Sequence, residues 1–207
     1  MSDSIWPTIH AERQALADDL AALSDEQWQT RSLCTDWTVH QVLAHLVATA
    51  KTTPPKFVAR FVAAGFDFAR FAAKQVGIES AGGPAATLTA FRAAQPLTAA
   101  PPGPKETWLG EAFVHGEDIR RPLGIEHDYP LPQVARTIAF YSRSNAIIGG
   151  KNRVAGLTLT ATDTDFSIGS GPEVRGPALS LLLATAGRTV ALDELTGPGV
   201  ATLRERG

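Results

Sequence analysis

The sequence predicts a mainly α protein: an antiparallel helical bundle over residues 1–149, followed by a small α+β module over residues 150–207. Three observations predict it. Up to Gly149, Ala, Leu, Phe and Val recur at helical spacing; beyond it the texture turns to Thr, Asp and Gly with strand-like alternation. The length, 207 residues, allows one large domain or a domain with a small appendage. No stretch approaches the ~20 apolar residues of a spanning helix.

Each element has its own signal. Residues 5–23 form an amphipathic helix with Leu16, Leu20 and Leu23 on one side, and 25–35 is a polar connector. Thr38 opens the next helix through a capping box with Gln41, with Trp37 and Val42 placed as a hydrophobic staple. Pro54 and Pro55 end that helix or start the next, which spans 56–76 and carries Phe57, Phe61, Phe68 and Phe71. Gly82-Gly83-Pro84 turns the chain into a helix that ends near Gln95. Residues 96–104 hold four of the 14 prolines and form a loop. A helix over 105–120 stops at Pro122 and Gly124, and another spans 132–148. Leu157, Leu159 and Ala161 alternate with threonines as a strand, Asp163-Thr164-Asp165 is a hairpin loop, and 166–168 is the return strand. Residues 177–186 are a short helix. Gly169-Ser170-Gly171 lacks the Lys and spacing of a phosphate loop and reads as a turn. A module of this size is marginal alone and is expected to pack on the bundle.

Composition excludes several classes. Hydrophobic residues at 44% and charged residues at 19% are ordinary globular usage, against wholesale disorder. A net charge of -2 gives no basic field for nucleic acid. The single cysteine, Cys34, excludes an internal disulfide framework and a cysteine zinc cluster, and reads as structural. With no signal peptide visible at the start, the expected location is the cytoplasm, with neither membrane nor nucleic acid as partner. Symmetric pairs are the commonest oligomers, so a homodimer is the default expectation.

Chemistry concentrates in two helices. The Thr38–Ala50 helix has no Asp, Glu, Lys or Arg. Val39, Leu43, Leu46 and Ala50 form an apolar stripe, and Gln41, His45 and Thr49 a polar one. A polar stripe on so apolar a helix must find partners. Glu111 and His115, four residues apart, share a face of the later helix. Two imidazoles and a carboxylate make a three-ligand set with an open position, the pattern of catalytic divalent-metal sites. The same residues also read as an i,i+4 surface pair and a core histidine, and spacing alone favours that plainer reading. His40 lies about 140° from His45 around the helix, so both do not face one ion. His10 and His127 read as solvated. Asp118 is placed to orient His115, although a solvated acid is the default. Arg120 and Arg121 suit the helix C-terminus.

Trp37 followed by Ala44-His45-Leu46-Val47, together with Glu111-Ala112-Phe113-Val114-His115-Gly116-Glu117-Asp118-Ile119-Arg120, resembles the mycothiol-dependent maleylpyruvate isomerase family. That family is one of the wider DinB-like metal-binding helical bundles. Gly156-Leu157-Thr158-Leu159-Thr160-Ala161, Gly187-Arg188 and Leu195-Thr196-Gly197 resemble its C-terminal module, itself similar to sterol-carrier-type folds. The resemblance implies that His45, Glu111 and His115 hold a divalent metal, zinc first, though imidazole and carboxylate also suit nickel, iron and manganese. It implies mycothiol as thiol cosubstrate. The expected activity is that of a metal-dependent transferase or isomerase acting on a small electrophile through a metal-bound thiolate. Arg188 is the residue put forward for catalysis, clamping a substrate or thiol carboxylate if the module covers the cleft; a structural salt bridge is its alternative. The competing readings are a carrier of an apolar molecule, with the phenylalanines lining its cavity, and a metal-bearing regulatory protein without turnover.

Overall fold

The computed structural model describes residues 4–34, 37–145 and 148–207. The chain divides into two units, residues 1–127 and 128–207. The first is helical: α1 (Trp6–Asp19), α2 (Asp25–Trp28), α3 (Val39–Lys51), α4 (Pro54–Ala63), α5 (Phe68–Ser80), α6 (Gly83–Ala94) and α7 (Lys105–Leu123). Its hub is α3, which packs on α5, α6 and α7, while α1 packs on α6 and α7. Val39, Leu43 and Val47 are wholly buried in a core with Leu16, Leu88, Phe91 and Ile119. The predicted capping box starts α3: Gln41 N–H donates to Thr38 Oγ1 at 3.3 Å, and Thr38 N–H to Gln41 Oε1 at 2.9 Å.

Three differences from expectation have local causes. The polar connector contains the single turn of α2, because Ser24 and Gln27 form a second capping box; Thr35, its last residue, lies outside the described residues. The predicted 56–76 helix is two helices. Gly65 and Phe66 take left-handed backbone (φ 72° and 62°), and Asp67 Oδ1 then caps α5 by accepting from Arg70 N–H at 3.0 Å. The phenylalanines stack on one another, with Phe57 5.2 Å from Phe71 and 5.5 Å from Phe61. No residue of α4 is buried, and Val58, Val62, Phe66 and Phe68 are exposed. These side chains therefore form a half-open cluster, and they line neither of the two cavities described below. At the end of α7, Pro122 sits inside the last turn and Gly124 closes the helix at φ 68°.

The second unit holds α8 (Leu131–Tyr141), α9 (Gly150–Arg153), β1 (Thr158–Ala161), β2 (Ser167–Gly169), β3 (Glu173–Gly176), α10 (Ala178–Thr185), a 3-10 turn (Thr189–Glu194) and α11 (Val200–Arg206). The sheet order is β2-β1-β3. β1 is antiparallel to β2, as the hairpin pattern predicts, and parallel to β3, with Leu159 opposite Val174. β3 is too short to show alternation and was invisible to the pattern. Gly169 permits the close approach in this sheet, since a Cβ there would lie 2.1 Å from Leu157 O. The predicted 132–148 helix ends at Tyr141; its residues 146 and 147 lie outside the described residues. This helix was grouped with the bundle, yet it packs in the second unit against α10. Val134, Ile138 and Tyr141 are buried, as are Leu181, Leu182 and Leu183. The change of texture at Gly149 marks where strands begin, and the packing boundary lies some twenty residues earlier. Among the described residues no helix is long and apolar enough to cross a membrane.

Candidate functional site

The packing of α3 on α7 brings His45, Glu111 and His115 together. On α3 the burial follows the predicted stripes. Gln41, His45 and Thr49 are partly exposed, and the residues between them are buried. His45 Nε2 lies 3.6 Å from Glu111 Oε1, too long for a hydrogen bond. The His45 and His115 rings stand edge to face with centroids 4.9 Å apart. Trp37 packs on the other side of His45 at 5.1 Å.

Burial sets the electrostatics. It pushes the His45 imidazole down to about 3, with the charge of His115 acting the same way and Asp118 opposing. His45 is therefore neutral at pH 7 and keeps a lone pair. Burial also raises the Glu111 carboxyl above its ordinary value, against His115, a hydrogen bond from the Thr49 side chain, and Arg13. Glu111 Oε1 is buried and has no hydrogen-bond partner among the described residues. A buried acceptor left in this state is costly unless something occupies it.

Asp118 departs from the solvated reading. It is wholly buried, and Oδ2 pairs with His115 Nδ1 at 2.8 Å. That bond orients the ring and leaves Nε2 as the remaining ring nitrogen. The Asp118 carbonyl in turn accepts from Leu33 N–H at 3.1 Å, tying the loop before α3 to α7. Cys34, on that loop, offers a ligand atom within 4.8 Å of ligand atoms of His115 and Asp118. Its sequence reading as a structural thiol did not anticipate this neighbourhood.

The remaining polar residues sort by geometry. His40 faces away from the cluster, as the wheel predicts, and pairs with Thr87 Oγ1 at 2.9 Å. Arg120 does more than end a helix. It is fully buried, and Nε donates to Asp19 Oδ2 at 2.7 Å, with Nη1 4.0 Å from Glu12 Oε2. His127 joins the same network at 2.8 Å from Glu12 Oε2, so it is not simply solvated. His10 is half-buried, 3.3 Å from the Leu97 carbonyl. Arg121 pairs with Glu117 at 2.8 Å. Arg13, unmarked in the sequence, donates to the carbonyl of Leu97 at 2.8 Å. It lines a slot beside Thr49 and Glu111 of about 20 Å³, room for roughly one water. Arg188 lies in the second unit, where Nη1 donates to Ala186 O at 3.0 Å.

Comparison with known proteins adds the ancestry. Two solved structures share the fold over 93% of this chain and 91% of theirs. One is described as a histidine-to-alanine mutant of the mycothiol-dependent maleylpyruvate isomerase (15% identity, TM-score 0.62), the other as that isomerase itself (12% identity, TM-score 0.56). At such identities the likeness establishes the fold. The curated proteins gave no match. Residues 9–120 match the family described as mycothiol maleylpyruvate isomerase N-terminal domain. That match takes in α3, α7 through Arg120 and all three clustered residues, and spans more than half of the sequence: the chain belongs to the mycothiol maleylpyruvate isomerase N-terminal domain family.

Proposed function

We propose that the protein is a mycothiol-dependent isomerase or S-transferase for a small electrophile, with a divalent cation, zinc first, held by His45, Glu111 and His115. The observation that carries the reading is the buried, unpartnered Glu111 Oε1 facing a neutral His45 nitrogen at 3.6 Å. Neutral imidazole and carboxylate are the ligand types that zinc takes in catalytic sites. Three protein ligands also leave a position open. Family membership supports the thiol dependence.

Bound there, a divalent cation supplies one thing: it acidifies a thiol, whose free pKa is ~8.5, and so presents a thiolate to an electrophilic carbon at neutral pH. The chain's own residues prepare the place. Asp118 fixes the tautomer and orientation of His115. Thr49 lies beside Glu111 and favours its ionised form, and Arg13 adds a cation nearby. Trp37 packs on His45 with ring centroids 5.1 Å apart. Arg188, in the second unit, is proposed to bind a substrate or thiol carboxylate, for which a planar guanidinium is suited.

Turnover of an electrophilic cis-enone acid is the test. It requires both added mycothiol and bound metal, and His115→Ala removes both. Turnover by the metal-free protein, or without any thiol, contradicts the reading. Arg188→Lys is expected to raise KM more than it lowers kcat.

A further inference from the structure

The second unit contains a feature that the metal reading does not use. A cavity of about 340 Å³ opens between the end of α8, α9 and the β1–β2 hairpin. This volume is at the lower end of small-molecule pockets, and about seventeen times that of the water-sized slot beside Glu111. Its walls include Val154, Leu157, Leu159 and Ile168. Arg143 and Lys151 also line it, and no acidic residue does. Both cations are exposed, and among the described residues neither has an ion-pair or side-chain hydrogen-bond partner.

The two segments that carry these cations are tied together. Lys151 N–H donates to Ser144 O at 3.1 Å. The Asn145 side chain bonds Asn152 twice, Nδ2 to Oδ1 at 2.8 Å and Oδ1 from the backbone N–H at 2.9 Å. The segments that carry Arg143 and Lys151 are thereby fastened to each other. Ser142 also lines the cavity, and its buried Oγ has no hydrogen-bond partner among the described residues. An apolar floor, two unpaired cations in one lining and an unmet hydroxyl describe one ligand chemistry.

We propose that this cavity binds a small amphipathic anion, a carboxylate with an apolar body of about ten non-hydrogen atoms, with its head on Arg143 and Lys151 and its body on Leu157, Leu159 and Ile168. The size follows from the volume, which equals that of about eleven liquid waters. The cavity's lining shares no residue with the His45, Glu111 and His115 cluster, and the proposal does not depend on metal.

Calorimetry on the full chain with octanoate, octan-1-ol and octylammonium tests it, with amide shifts read by NMR. Octanoate is expected to bind one to one, at least fivefold more tightly than the alcohol, and the ammonium ion least. Arg143→Gln and Lys151→Gln should each weaken octanoate about three- to tenfold, leave the alcohol unchanged, and recover with Arg143→Lys. Perturbed amides should include Gly156, Leu157, Gly169 and Ser170. Equal binding of acid and alcohol, or no binding of either, overturns the proposal. So does octanoate binding that is lost in His45→Ala and kept in both Gln variants, because the anion is then at the metal cluster.

Discussion

His115 and Asp118 show how much of the cluster rests on a single bond. The carboxylate is wholly buried and 2.8 Å from Nδ1. Asp118→Asn keeps the shape and removes the charge, and in metal-binding titrations it should weaken the cation roughly 10–100-fold. An unchanged affinity would separate Asp118 from the metal. The spacing of Asp118 from His115 was legible in the sequence, but its burial was not, because that depends on the loop at Leu33 packing onto α7. Protonation adds a second prediction at this scale. His45 is held down to about 3, and His40 is lowered by burial as well. The unfolded chain takes up these protons near 6.5, whereas folded His45 refuses its proton until about 3. The metal-free protein therefore loses stability as pH falls from 6.5 toward 3. Glu12 and Glu111 are raised by burial, so they act the other way, costing stability as pH rises above their ordinary 4.5. The opposition ends below 4.5, so the net loss is steepest between there and the value of His45. Urea unfolding from pH 6.5 to 3.5 should show this slope, and His45→Gln should flatten it. A cation held as proposed at His45 would compete with acid for the same nitrogen, so metal loading is expected to fall over that range.

At the scale of elements, α3 was the most legible part of the fold. Its capping box, its lack of charged side chains at 38–50 and its Gln41, His45, Thr49 stripe gave both its start and its partly exposed polar face. The break between α4 and α5 was hidden. Gly65 is a weak stop inside a run of Phe, Val and Ala, and the second left-handed residue is Phe66, a type that rarely adopts φ 62°. Such a conformation costs a non-glycine residue about 1–2 kcal/mol. Phe66 is 69% exposed, so little packing offsets that cost. Phe66→Asn should therefore stabilise the protein by about 0.5–1 kcal/mol in urea unfolding, since Asn tolerates this region. A loss of stability would mean that the 5.7 Å ring contact with Phe61 outweighs the strain. β3 and α11 were missed for another reason: four and seven residues are too few for a period to declare itself.

For the whole molecule, composition located the change from helices to strands at Gly149 but not the division of the chain at residues 127 and 128. The helix α8 has the same amphipathic pattern whichever unit covers it, and only the leucines of α10 decide the matter. The candidate cluster was legible because Glu111 and His115 sit four residues apart on one helix and His45 on a helix with no charged side chain at 38–50. Thr49 and Arg13, which surround Glu111, carry no spacing signal of that kind. All of these residues serve one central claim, that His45, Glu111 and His115 hold a single divalent cation. Elemental analysis of the protein purified without an affinity tag, beside His45→Ala, tests this most directly. The expected result is about one equivalent of divalent metal per chain, lost in the variant. Metal-free protein that stays so after reconstitution, or equal metal in both proteins, would contradict it.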